Sequence, residues 1–533
     1  MEKDTSRTIA RQAARFFSGT MISRITGLLR DMTMAACFGA TPFVAAFMIA
    51  FRFTNLLRRL LGEGAMQSAF IPQFEALRRE DPYKASLFFR DLSLLVSLFL
   101  VGFVLLTEAG CALWLSLAPP SPDWQDVIIL TMLSLPSLVF ICLYGLYSSL
   151  LQCEKRFFLP SVAPVFFNIV WMGAAFSLRD LPPMKAMQGL ALSLIVAYAV
   201  QWMVISRSVM IYLRQHLSLG MIWLKIRLEG KLLKRLIKPL FFAILGVGAA
   251  QINSNLDPLF ARGADLQGPV YLWYAIRLQQ LPLALFGIGI ASALLPSLSR
   301  ARDQGDVERY RSLLSGAVNK TALLMIPLTG LMIALGGSSL NFLFGHGDFT
   351  SEAISQTTWC LWGYLCGLLP MTLVLLFATA FYSQQSFSAP LKASLVSMMA
   401  NIALNSLFVF VLEGGAASIA FATSIAAFIN FFMLAAALKE KGLTPERGGA
   451  HKEIGIVTFA TILAVVTTFI VGSKWLDDPS ASLFLLNKKA VYNHGLFNQL
   501  FTLTLEGLTF LGTGGLVSLL SLYALRSRKS SVS

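Results

Sequence analysis

Charged residues are scarce in this sequence of 533 residues: Asp, Glu, Lys and Arg make up 13% of it, against about 25% in a soluble globular domain. That shortage excludes a disordered chain and a water-soluble enzyme. The six cysteines (Cys37, Cys111, Cys142, Cys153, Cys360, Cys366) form no Cys-x-x-Cys pair and mostly sit in apolar stretches, which excludes a disulfide or zinc framework. The four histidines (His216, His346, His451, His494) are scattered, and no metal site is expected. No phosphate-binding P-loop is present. The polar, basic stretch Glu2 to Arg15 runs directly into a membrane helix, so no cleavable signal is expected. Acids are the rarer charge, 28 against 43 Lys and Arg, leaving a formal +15. In an apolar chain this excess belongs to membrane topology, and no nucleic-acid partner is expected.

What the chain has is hydrophobic length: 56% apolar residues and a mean hydropathy of +0.67. A bilayer offers backbone groups no water, so only helices or closed barrels cross it, and these runs are too long for barrel strands. The expected fold is an all-α polytopic membrane protein with about 14 transmembrane helices. The windows lie near 15–38, 43–61, 91–117, 126–151, 160–178, 187–212, 238–260, 270–297, 317–344, 355–383, 390–412, 415–437, 454–473 and 500–525. Lys and Arg crowd the N-terminal tail, the 75–90 loop, 213–238, 300–320 and Arg526 to Lys529. The alternate loops carry Asp123, Asp126, Asp348, Glu352, Glu413, Asp477 and Asp478. By the positive-inside rule both termini are expected in the cytoplasm.

A basic linker, 213–237, separates an N-terminal lobe of six spans (1–212) from a C-terminal lobe of six (238–440). Two further spans and a tail occupy 441–533. An internal repeat supports the division. Arg52 precedes Ala69-Phe70-Ile71-Pro72 as Arg277 precedes Ala293-Leu294-Leu295-Pro296, and Phe157 to Pro160 echoes Phe387 to Pro390. The shared offset of about 225–230 residues indicates parallel repeats, a transporter design with the substrate site between lobes.

Ionisable residues inside the spans are the functional candidates. Thr20, Ser23, Arg24, Gly27, Arg30 and Asp31 share an arc of about 120° on the first helix. Arg52, Asn55, Arg59 and Glu63 share about 80° on the second, with Arg58 on a flank. Asn253, Asn255 and Asp257 lie in the seventh, Arg277 and Gln279-Gln280 in the eighth. A central arginine costs about 2.5–3.5 kcal/mol to insert, so such residues face a wet cavity or a partner. Arg30–Asp31 and Arg59–Glu63 can close internal ion pairs. Arg24, Arg52, Arg58 and Arg277 have no carboxylate one turn away, and a surplus of guanidinium groups suits a phosphate or pyrophosphate. Asp257 is placed to hold Na⁺, a proton or an interhelical hydrogen bond. Gly62, Gly64, Gly287 and Gly289 read as packing or hinge positions.

The residues Ser23-Arg24-Ile25-Thr26-Gly27-Leu28-Leu29-Arg30-Asp31, Phe38-Gly39-Ala40, Asn55-Leu56-Leu57-Arg58-Arg59-Leu60-Leu61-Gly62-Glu63-Gly64-Ala65 and Ala69-Phe70-Ile71-Pro72 resemble the signature of the MurJ (MviN) lipid II flippases. These belong to the multidrug/oligosaccharidyl-lipid/polysaccharide exporter superfamily. Tyr274-Ala275-Ile276-Arg277-Leu278 and Phe381-Tyr382-Ser383 agree, and the likeness thins after about residue 440. The resemblance implies two six-helix lobes around a cationic cavity, with two last helices forming a groove for a lipid tail. It implies lipid II as substrate, a bacterial inner-membrane location and a role in peptidoglycan synthesis beside membrane lipids and the cell-wall machinery. It carries the essential cavity arginines onto Arg24, Arg30, Arg58 and Arg277, with Arg52 where relatives often have Lys. Arg59 extends the substrate-binding set, and Asp31, Asn55, Glu63, Asn255 and Asp257 are the polar or ion-coupling candidates. Ala45, Thr54 and Ile276 depart from the family pattern, two of them replacing acids. No cofactor is expected; a coupling cation (Na⁺ or H⁺) or the membrane potential supplies the drive. The alternatives are a related polyprenyl-linked oligosaccharide exporter, a drug/cation antiporter, or a non-transporting scaffold or polyprenyl-phosphate enzyme.

Overall fold

The computed structural model describes residues 6–62, 65–218, 255–445, 451–473 and 495–530. Glu63, Asn253, most of the basic linker and Asp477-Asp478 lie outside the described residues. Those described form no strand, only helices and their connections, in two compact units, Met1–Asn255 and Leu256–Ser533.

In the first unit α1 (Ser6–Phe38) stops at Gly39, whose φ of +58° suits a residue without a Cβ. Thr41 starts α2 (Pro42–Leu61): its hydroxyl accepts from the Val44 N–H at 3.3 Å, and Pro42 fills the first turn, where no N–H is needed. After α3 (Ala65–Glu80), Asp81 caps α4 (Pro82–Leu117) in the same way. The span expected over 126–151 is two helices, α5 (Pro122–Ser134) and α6 (Ser137–Cys153), bent by 48°. Pro136 lacks the N–H that would continue the ladder, which is why the chain bends there. α7 (Phe158–Leu178) and α8 (Pro183–His216) complete the unit, with α7 packed between α1 and α8 and α2 against α5. Leu98, Leu105 and Leu106 of α4 point outward and are 60–76% exposed, an apolar stripe suited to hydrocarbon rather than water.

The second unit begins with α9 (255–264) and α10 (Gly268–Pro282). A π-helical turn, Leu283–Gly287, joins α10 to α11 (Ile288–Asp303). Then come α12 (Val307–Phe344), α13 (Ser351–Cys366), α14 (Leu368–Ser383), α15 (Ser388–Ser406) and α16 (Ala416–Glu440). α17 (His451–Val471) and α18 (Leu496–Ser530) pack on each other and on α12 through Ala334, Ala464 and Phe510.

The sequence repeat has a backbone counterpart. A Cβ on Gly62 would stand 2.8 Å from the Cys142 Cα, and one on Gly287 would stand 3.1 Å from the Thr372 Cγ2. Both glycines let a helix press on its neighbour at matching positions of the two units. Lys155 and Gln385, 230 residues apart, each carry a φ of 58°, rare for a residue with a side chain. Among the described residues ten helices are long and apolar enough to cross a membrane, or eleven with the bent pair counted as one crossing. The chain is a multi-pass membrane protein.

Candidate substrate and ion sites

On α1 the two family arginines have different environments. Arg30 is buried: its Nη2 lies 2.7 Å and its Nε 3.1 Å from the Asp31 Oδ1, and its Nη1 donates to the Asn168 Oδ1 at 3.2 Å. Its guanidinium carbon sits 4.7 Å from the centre of the Trp171 ring and about 6 Å from those of Phe167 and Phe51. Asn168 also donates to the Thr26 hydroxyl at 2.9 Å, so this knot ties α1 to α7. The ion-pair option for Arg30 and Asp31 is therefore realised in this conformation. Arg24, nearly two turns earlier, is exposed and makes no ion pair or hydrogen bond among the described residues. A buried cation must be neutralised locally, whereas an exposed guanidinium keeps its charge for a ligand.

On α2, Arg52 and Arg58 are half-buried and Arg59 is exposed. Asn55 spends one amide hydrogen on the Phe51 carbonyl of its own helix at 2.9 Å. Arg58 and Arg59 occupy the last turn of α2, where the helix dipole favours a cation. Their neighbour in the signature, Glu63, is outside the described residues, so the Arg59–Glu63 pairing has no geometry here.

In the second unit Arg277 is half-buried on α10, its guanidinium 4.7 Å from the Trp273 ring centre. Asp257 of α9 is buried and accepts three hydrogen bonds: from Asn401 at 3.1 Å, Asn405 at 3.0 Å and the Thr423 hydroxyl at 3.1 Å. The Oδ1 of Asn405 is buried without a donor. A carboxylate beside a bare amide oxygen is a donor set for a hard monovalent cation or a proton. Asn255 lies half-buried two residues before Asp257.

Sequence reading missed Asn168, Asn401, Asn405 and Thr423, the residues that receive these charges. A signal existed: Asn401 and Asn405 are four apart, hence on one face of an otherwise apolar helix. It also placed Arg90 in a basic loop, whereas α4 buries Arg90 with its Nε 2.7 Å from the Asp91 carboxylate. Glu506 of α18, fully buried in the last span, was likewise not singled out. No group of three or more His, Cys, Asp or Glu able to hold a metal occurs among the described residues.

Two helical units with repeat-related features, their arginines and a buried carboxylate carried on helices of a chain with ten candidate membrane spans among the described residues, define a polytopic transporter. The model of the family described as "Lipid II flippase MurJ" matches residues 34–486, and the chain belongs to that family. It is 34% identical over 471 residues to a "Probable lipid II flippase MurJ" of Chlamydia trachomatis, covering 88% of this chain and 86% of the relative. It is 29% identical to a "Lipid II flippase MurJ" of Burkholderia cenocepacia, covering 84% and 87%. In fold it is similar to a solved lipid II flippase MurJ in an inward closed conformation, with a TM-score of 0.70 at 23% identity over 93% of this chain and 98% of that one. It is also similar to an inward-facing multidrug resistance MATE transporter of the MOP superfamily, TM-score 0.62 at 15% identity over 81% and 98%. The family is one of transporters rather than enzymes.

Proposed function

We infer that this chain moves lipid II, the undecaprenyl-pyrophosphate-linked peptidoglycan precursor, from the inner to the outer leaflet of the cytoplasmic membrane by alternating access. Its termini lie on the cytoplasmic side. Family membership supports the substrate, and the placement of Arg24 carries the chemistry: an exposed guanidinium on a helix whose other signature arginine is already neutralised. In the first unit Arg24, with Arg52, Arg58 and Arg59, supplies positive charge for a diphosphate; in the second unit Arg277 does so. Arginine's planar fork grips phosphate oxygens bidentately, which a lysine does not. Arg30 serves this set from its cage and joins the substrate only if the Asp31 and Asn168 contacts open.

Asp257 is the coupling site in this reading. A monovalent cation or a proton there would take up the Asn405 oxygen and change how α9, α15 and α16 are held together. Membrane potential adds drive at about 2.3 kcal/mol per charge per 100 mV.

The test is outer-leaflet lipid II accessibility in cells relying on this protein as their only flippase, with Arg24→Ala or Arg277→Ala in place of the native residue. Accessibility should collapse while protein level holds. Normal accessibility in both variants removes the arginine assignment.

A further inference from the structure

Each unit carries its own copy of one contact that lies outside both sites. Arg78 stands six residues after Pro72 near the end of α3, and Arg302 stands six after Pro296 near the end of α11. The Nη1 of Arg78 donates to the carbonyl of Cys153, the last residue of α6, at 3.2 Å. The Nη1 of Arg302 donates to the carbonyl of Ser383, the last residue of α14, at 2.6 Å. Cys153 and Ser383 are themselves repeat partners, 230 residues apart.

Both acceptors belong to the same helix-ending motif. The Arg156 N–H closes on the Leu151 carbonyl at 2.8 Å and the Ser386 N–H on the Phe381 carbonyl at 3.0 Å. Lys155 and Gln385 take the left-handed conformation between them. The carbonyls at such an end lack intrahelical donors and carry the negative end of the dipole, so a guanidinium is the natural partner. In each clamp the guanidinium also holds a carboxylate, through the same Nη1 in Arg78 and through Nη2 in Arg302. Arg78 reaches Glu154 at 2.5 Å across the helix pair, and Arg302 reaches Asp303 at 2.5 Å on its own helix.

What the clamps join gives them a role. In the first unit α3 follows the arginine-bearing α2, and the clamped turn leads into α7, whose Asn168 holds Arg30. In the second, α11 follows the Arg277 helix, and the clamped turn leads into α15, whose Asn401 and Asn405 hold Asp257. Each clamp thus links a helix next to one carrying a substrate arginine to a helix carrying the amide that holds a buried charge.

We propose that Arg78 and Arg302 are a repeat-related pair of positioning residues that couple movement of the substrate-arginine helices to the Asn168 and Asn401/Asn405 helices during transport. This rests on the flippase reading. The clamps touch no substrate. Their loss therefore uncouples the cycle without weakening binding.

Full-length protein in proteoliposomes tests this, measuring lipid II affinity and flipping rate separately for Arg78→Gln, Arg302→Gln and their lysine counterparts. Each glutamine variant should bind lipid II within about twofold of native and flip it about tenfold more slowly, the signature of a lost transition-state rather than ground-state contact. Lysine should restore part of the rate at both positions, because in each the interhelical contacts found among the described residues are made by a single nitrogen, Nη1. Native flipping rates in both glutamine variants overturn the proposal. So does a matched loss of affinity and rate, or a loss of folded protein that lysine fails to rescue. Arg24→Ala in the same assay separates the two readings: if it retains native affinity and rate, the substrate-site assignment fails whatever the clamp variants do.

Discussion

The guanidinium of Arg30 lies 4.7 Å from the centre of the Trp171 ring, with Asp31 and Asn168 holding its other edges. Cation, carboxylate, amide and indole make one enclosed unit between α1 and α7, and its parts should fail together. Arg30→Ala takes the guanidinium from the buried Asp31, and breaking a buried ion pair from one side costs about 3–5 kcal/mol. Asp31→Asn paired with Arg30→Gln should cost markedly less. Detergent-solubilised thermal unfolding of the single and double variants measures the difference. Equal destabilisation by all of them would show that the cage adds nothing.

Arg24 should behave in the opposite way. Being exposed, it contributes little to folding, so Arg24→Ala should leave the unfolding temperature near native. A charge-assisted hydrogen bond is worth about 1.5–3 kcal/mol, so lipid II affinity should fall about tenfold to a hundredfold. Arg24→Lys should recover part of the loss. A binding titration in detergent decides it.

Asp257 accepts from three donors, and removing the carboxylate takes this acceptor from the Asn401 and Asn405 amides, while the Thr423 hydroxyl keeps the Ile419 carbonyl at 3.0 Å. Asp257→Ala should destabilise the second unit by about 1–3 kcal/mol, the usual cost of stranded buried polar groups. Asp257→Asn keeps the shape and removes the charge. It should fold near normally while flipping loses its dependence on sodium or on pH. A flipping assay across sodium concentration and pH reads this, and an unchanged dependence removes Asp257 from coupling.

The glycines divide cleanly by what surrounds them. Gly62→Ala pushes a methyl to 2.8 Å from the Cys142 backbone, and overpacking of this kind costs about 1–3 kcal/mol. Gly289→Ala meets nothing within 4 Å and, in a helix, should stabilise by up to about 1 kcal/mol. Thermal unfolding of the pair measures both, and equal shifts would contradict the close packing at Gly62.

Much of this was legible in the chain itself. Apolar runs long enough to cross a membrane, the repeat offset and the arginine stripes all follow from residue order, because bilayer thickness and the helical period translate directly into spacing. The bend at Pro136 was less visible: hydropathy runs straight through 126–151, and only the missing N–H interrupts it. Partners were not visible at all. Asn168 lies 138 residues from Arg30 and Asn405 lies 148 from Asp257, and no local pattern reports a contact that far along the chain.

The sequence alone therefore determined that this is a helical membrane protein of a lipid-flippase family with positive charge inside its spans, since charge and hydropathy are properties of residues. Tertiary structure decided which charges are spent. Arg30, Arg90 and Asp257 are satisfied by neighbours, while Arg24 stands exposed, because neutralisation in a low-dielectric interior depends on what packing brings within about 3 Å.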